Sequence, residues 1–192
     1  MVGGIKGELK RALDNYYSKY PAFVETSSSL MHNFPMKIQK TDTFHIARFD
    51  LFSKVGLLTR EEIIDNEGNF FGPPSTTPNA VQYALTDKGK KFFKTSCGSS
   101  QIMEEDGFIF GQIKVIGITD YSEPANMMGH IISTVKYQTK VKNIENWADS
   151  DELRANFKEI KEAFDSQRTP TNQEATLVKM GSGWVHSDLV GQ

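Results

Sequence analysis

A single cysteine, Cys97, stands in the 192 residues, so the chain can form no intramolecular disulfide and no cysteine-rich zinc site. Positive charge is not in excess: 22 Lys and Arg meet 24 Asp and Glu, and a formal charge of -2 supplies no broad field toward phosphate backbones. No stretch approaches the ~20 apolar residues of a membrane-spanning helix. The opening Met1-Val2-Gly3-Gly4-Ile5-Lys6-Gly7-Glu8 also lacks the apolar run of a signal peptide. As written, the chain is expected in the cytoplasm; removal of a leader ahead of the starting Met would place it in the periplasm or envelope. The four histidines, His32, His45, His130 and His186, are scattered singly, with no spacing that sets two ligands on one helix face. No metal site and no cofactor is expected from them.

What is present is an ordinary globular composition, 38% hydrophobic and 24% charged with thirteen Phe, long enough to bury a sizeable core without covalent staples. Leu9, Ala12, Leu13, Tyr16, Tyr17 and Tyr20 recur at helical spacing and Pro21 stops them. The glycines from Gly3 to Gly7 ahead of that helix follow no strand, so they make a frayed terminus rather than a phosphate cradle. Glu25 to Thr43 carries Ser27-Ser28-Ser29, Asn33 and Pro35 and is expected to be loop, with one brief strand in Phe34 to Ile38. Thr43 is a candidate N-cap for a helix with Phe44, Ala47, Leu51, Phe52 and Val55 on its apolar face and Gly56 as its left-handed C-terminal stop.

Thr59-Arg60-Glu61-Glu62 has the spacing of a capping box and predicts a short helix before a loop rich in Gly and Pro. Val81 to Thr86 predicts a strand, and Asp87 to Phe93 a helix with Phe92 and Phe93 turned inward. Further on, Phe108 to Thr119 and Ile132 to Val141 predict antiparallel strands, the second with Val135, Tyr137, Thr139 and Val141 on one face. Asp149 or Ser150 caps a helix carrying Leu153, Phe157, Ile160 and Phe164, and Pro170 ends it. A last hairpin is expected, Ala175 to Met180 and Trp184 to Ser187 around Gly181-Ser182-Gly183. The fold class is therefore α+β.

The order Phe49-Asp50-Leu51-Phe52-Ser53-Lys54-Val55-Gly56-Leu57-Leu58, then Tyr83-Ala84-Leu85-Thr86-Asp87-Lys88-Gly89, resembles winged-helix domains. That resemblance implies a winged-helix-like unit over residues 1–96, and the alternating strands and capped helix beyond it predict a small antiparallel sheet with one packed helix over 97–192. The polar run Ser96-Cys97-Gly98-Ser99-Ser100 marks the junction. In a DNA-reading version, Phe44 to Val55 would enter the major groove and Arg48 and Lys54 would touch bases or phosphate. Two features oppose it. Glu25 to Thr43 predicts no bracing helix, and the region of the wing carries Glu61, Glu62, Asp65 and Glu67. Thr86 as a helix cap, Gly89 as a close-packing residue and Leu85 as a core residue account for the same motif without DNA.

The remaining candidates are weak as chemistry. Cys97 has no partner signature of a nucleophile and reads as a packing residue. Glu104-Glu105-Asp106 could pair carboxylates but reads as a solvated loop, and Glu123 sits in the turn from Tyr121 to Gly129. No catalytic residue is assigned.

Gly56 to Thr59, Tyr83 to Gly89, Cys97-Gly98, Tyr121 to Ala125, Val135 to Val141 and Trp147-Ala148 together resemble a group of uncharacterised bacterial proteins, many exported or lipid-anchored. The resemblance implies an architecture without an activity. The expected function is that of a non-enzymatic accessory protein with a protein or small-molecule partner and no nucleic acid. A winged-helix regulator with a C-terminal effector or dimerisation module is the alternative.

Overall fold

The computed structural model describes residues 4–26, 34–67, 73–98 and 105–191. In chain order the elements are α1 (Ile5–Lys19), β1 (Ala22–Glu25), β2 (Met36–Gln39), α2 (Thr43–Lys54), β3 (Leu58–Ile63), β4 (Ala80–Leu85) and α3 (Asp87–Phe92). Then come β5 (Phe93–Lys94), β6 (Gly107–Tyr121), β7 (Ala125–Met127), β8 (His130–Lys142), α4 (Asp151–Asn156), α5 (Lys158–Arg168), β9 (Thr171–Met180) and β10 (Gly183–His186). The fold is mixed α+β with mainly antiparallel pairing. None of the described helices is long and apolar enough to cross a membrane.

Two compact units alternate along the sequence. The first gathers Met1–Phe23, Phe110–Glu145 and Lys158–Gln192; the second gathers Val24–Ile109 and Asn146–Phe157. The expected junction at 96/97 falls inside the second unit, where Cys97 is fully buried and its N–H bonds the carbonyl of Glu105 at 2.6 Å.

In the first unit β6, β8, β9 and β10 lie side by side in that order, with β7 on the other end of β8. The strict alternation of β8 buries Ser133, Val135, Tyr137 and Thr139, as the period-two pattern requires. Leu9, Ala12 and Leu13 of α1 pack on Val115, Val135, Tyr137, Leu177 and Trp184 to make its core. A second helix, α5, covers the same unit through Ile160, Ala163 and Ser166, and Ser166 Oγ accepts the Val141 N–H at 3.0 Å. The sheet thus carries two packed helices rather than the one expected, because α1 belongs here and not to an N-terminal domain.

In the second unit β2, β4 and β3 form a small antiparallel sheet with β4 central. Beside it an aromatic core joins Phe49, Phe52, Tyr83, Phe108 and Phe157 through ring separations of 4.9 to 6.3 Å. Thr86 caps α3 by accepting the Gly89 N–H at 2.9 Å, and Gly56, at φ +78°, ends α2 in the left-handed region that a side chain disfavours.

Several expectations are corrected. Thr59 to Glu62 is not a capped helix but the middle of β3, held by six consecutive pairs with β4; long-range pairing overrides the local capping spacing. The cap of α2 is Asp42, whose carboxylate accepts the His45 N–H, and Thr43 is the first helical residue. Its buried side chains are Phe49 and Phe52, while Phe44 is 72% exposed and Ala47 is exposed, because the inward face is offset from the one the sequence pattern marks. The single helix from Ser150 to Phe164 is two, with Phe157 extended (φ -123°, ψ 110°) between them; Phe157 belongs to the second unit and Lys158 onward to the first. Ile5 to Gly7 is helical rather than frayed, and Gly3 lies outside the described residues. β1 was not expected.

Candidate functional site

Pro21 prevents α1 from continuing and turns the chain into β1, leaving the inner face of the first unit's sheet uncovered just beyond Tyr17. α5 covers the next stretch. Between these two helices an open cleft of about 250 Å³ remains. Its floor is Phe110, Ile113, Thr139 and Val141, its walls Tyr17, Pro21, Ala22, Phe23, Ala163 and Ser166, and its lip Glu159 and Glu162, with Thr171 and Gln173 at the β9 side.

Two of the polar groups lining this cleft, Tyr17 and Ser166, are already engaged. The Tyr17 and Tyr137 hydroxyls bond each other at 2.9 Å, and burial pushes both up from the ordinary tyrosine value, so both stay neutral. Ser166 Oγ donates to the Ala163 carbonyl at 2.6 Å while accepting from Val141. Glu159 and Glu162 are exposed on the first turns of α5. Glu162 lies 3.5 Å from Lys158 Nζ, an exposed pair that leaves the carboxylate accessible, and no cation among the described residues reaches Glu159. The arrangement offers apolar contact and negative charge, which suits binding; no nucleophile stands beside a base in it.

A second concavity in the same unit, of about 580 Å³, is wider and more polar, bounded by Glu8, Arg11, Asn15 and the turn from Gly181 to Gly183. Lys179 crosses it to reach Glu8 at 3.3 Å and lies 5.4 Å from the centre of the Trp184 ring.

The residues singled out from the sequence fall elsewhere and do not converge. Arg48 donates to the Glu25 carbonyl and lies 4.5 Å over the Phe157 ring. Lys54 Nζ reaches both oxygens of Glu152 at 3.0 and 3.1 Å. His45 Nδ1 is 2.7 Å from Asp42, a contact that holds the Asp42 carboxyl below its usual range. His186 is buried and stacked on Tyr16, His130 is exposed, and His32 lies outside the described residues.

Cys97 is fully buried, and desolvation pushes its thiol up to about 11, the environment of a packing residue. Glu104 lies outside the described residues, and Asp106 is no solvated carboxylate: it is 2% exposed and accepts the Ser96 N–H at 2.9 Å. The run reads as loop because three acids in a row are usually wet, whereas tertiary contacts supply Asp106 with donors. Glu123 is exposed in the link between β6 and β7. Among the described residues no group of His, Cys, Asp and Glu is placed to hold a metal ion.

The cleft itself carries no sequence signature. Its lining comes from six elements or their flanks, spread from Tyr17 to Gln173, and each residue reads locally as ordinary core or surface. Only the step Tyr20-Pro21, which ends a tyrosine-rich helix early, hinted at it. No protein-family model, curated protein or solved structure matches the chain.

Proposed function

We propose that this is a non-enzymatic accessory protein whose first unit binds a partner in the cleft between α1 and α5. The observation that carries this reading is an apolar concavity whose accessible charges are two carboxylates, Glu159 and Glu162. An apolar group bearing a positive charge is the chemistry that fits. The second unit serves as scaffold; the order α2, β3, β4, with β2 on β4, is what supports a winged-helix-like reading of it.

Octylammonium titrated into the labelled protein is expected to shift the resonances of Tyr17, Val141 and Ala163, and octanoate is not. Ala163→Trp, which fills the cleft, abolishes the response. Glu159→Lys with Glu162→Lys reverses the preference toward octanoate. Equal responses to the two amphiphiles in the native protein would refute the reading.

A second reading, a winged-helix regulator of transcription, draws on that same topology and on Arg48 and Lys54. Against it, both cations have partners in their own unit, Glu25 and Phe157 for the first and Glu152 for the second. Retention of a random duplex that weakens steeply from low to moderate salt, and that is lost in Arg48→Glu with Lys54→Glu, would favour the regulator.

A further inference from the structure

β9 outruns the strand that flanks it. β10 pairs with Leu177–Met180 only, and among the described residues no strand lies on that side of Thr171 to Thr176. The two-residue turn Gly181-Ser182 closes on the pair Met180 and Gly183, so Met180 and Val178 direct their backbone groups to β10. By alternation Thr176, Glu174 and Asn172 direct theirs the same way, with no strand to meet them.

Long open edges are usually blunted by lysine, proline or a bulge. Here Thr171-Asn172-Gln173-Glu174-Ala175-Thr176 contains neither residue. The ladder to β8 runs without a register shift from Ile131↔Lys179 to Thr139↔Thr171. β6, by contrast, shifts register twice against β8. The same segment borders the cleft, since Thr171 and Gln173 line it. A strand laid along this edge would sit ~4.8 Å from β9 and turn every second side chain toward the cleft face, where Glu159 and Glu162 supply negative charge.

We infer that the Thr171–Thr176 edge accepts an extended segment of a partner protein, which adds a strand to the sheet. A basic side chain of that segment lies against Glu159 and Glu162, and an apolar one two residues away enters the cleft. This rests on the reading of the cleft as the binding site. Main-chain bonds supply affinity in such strand addition, and the alternate side chains supply choice. A second copy of this chain fits less well, because a two-fold pairing about this edge brings Glu174 close to its own image.

The test uses a short acetylated, amidated peptide with Thr on one face and Lys alternating with Val on the other. It is expected to bind the native protein and to slow solvent exchange of the Asn172, Glu174 and Thr176 amides. N-methylation of every second peptide amide in one register weakens binding by about tenfold or more, since each lost hydrogen bond is worth ~1 kcal/mol, and methylation in the other register does not. Glu174→Pro, which removes an outward N–H at an edge, weakens binding of the unmethylated peptide in the same way. Absence of peptide binding, equal effects of the two methylated registers, unchanged amide exchange, or dimerisation of the protein through this edge would each overturn the inference. Octylammonium, added to the same protein, separates the two claims. If it binds and the peptide does not, strand addition fails and the cleft reading stands; if the peptide protects the edge while octylammonium leaves the cleft unperturbed, the cleft reading is the one that falls.

Discussion

The rings of Tyr16 and His186 are stacked, with centroids 3.7 Å apart and planes inclined by 12°. His186 Nδ1 accepts the Asp188 N–H at 3.2 Å, and Tyr16 donates to the Asp188 carboxylate at 3.2 Å. The imidazole therefore has to be neutral to keep its acceptor. Burial lowers its pKa below the ordinary histidine value, against the opposing pull of the Asp188 charge.

A lowered folded-state pKa means that the unfolded chain takes up the proton first, so this histidine costs nothing above its unfolded value of about 6.5 and destabilises as pH falls below it. His186→Phe keeps a stacking ring and removes the titration. Thermal unfolding of both proteins from pH 7.5 to pH 5 is expected to show a steeper loss in the native one. Parallel curves would mean that His186 is protonated in the folded state at no cost.

Gly89 makes a prediction opposite in sign to helix propensity. Propensity alone says Gly89→Ala in α3 gains about 1 kcal/mol. A Cβ there would stand 2.0 Å from the Leu57 carbonyl oxygen, which is fixed by accepting the Thr86 N–H and hydroxyl. A loss of about 1–3 kcal/mol is expected in denaturant unfolding. Gly117→Ala, with open space around its Cβ position, should change stability by no more than about 0.5 kcal/mol.

Phe157 stacks on Phe52 at 4.9 Å and 28° and carries the Arg48 guanidinium on its ring. Phe157→Ala should cost about 3–5 kcal/mol, the range for emptying a buried aromatic site, and Phe157→Leu less. Unfolding monitored by far-ultraviolet circular dichroism gives both values. A cost near zero would show that this aromatic core is loosely packed.

Cys97 should be inert while the protein is folded. With its thiol at about 11, roughly one molecule in a thousand carries the thiolate at pH 8, and full burial excludes reagent as well. Reaction with a chromogenic disulfide is expected to be slow in buffer and prompt in guanidinium chloride. Prompt reaction in buffer would place the segment around Cys97 in frequent local opening.

Where the information is local, the chain announces its structure. The apolar stripe of α1, the alternation of β8, the Thr86 cap, the Gly56 stop and the Ser150 cap each follow from residues within a turn or two of each other. β3 departs from its capping-box spacing because β4, which begins seventeen residues after β3 ends, satisfies its backbone. The break at Phe157 is invisible for a related reason. Leu153, Phe157, Ile160 and Phe164 keep helical spacing throughout, and only the division of that segment between two cores separates α4 from α5.

Composition, charge and periodicity by themselves determined an α+β protein with no intramolecular disulfide and no long apolar run, since those properties depend on residue types and near neighbours. Tertiary structure alone decided that α1 packs with strands more than a hundred residues away, and that Pro21, Val141, Glu162 and Gln173 meet around one cleft. It also decided that β9 extends past its neighbour. The physical reason is that a concavity and an open edge are what remains after chain segments pack, and what remains is set by the sum of distant contacts rather than by any one stretch of residues.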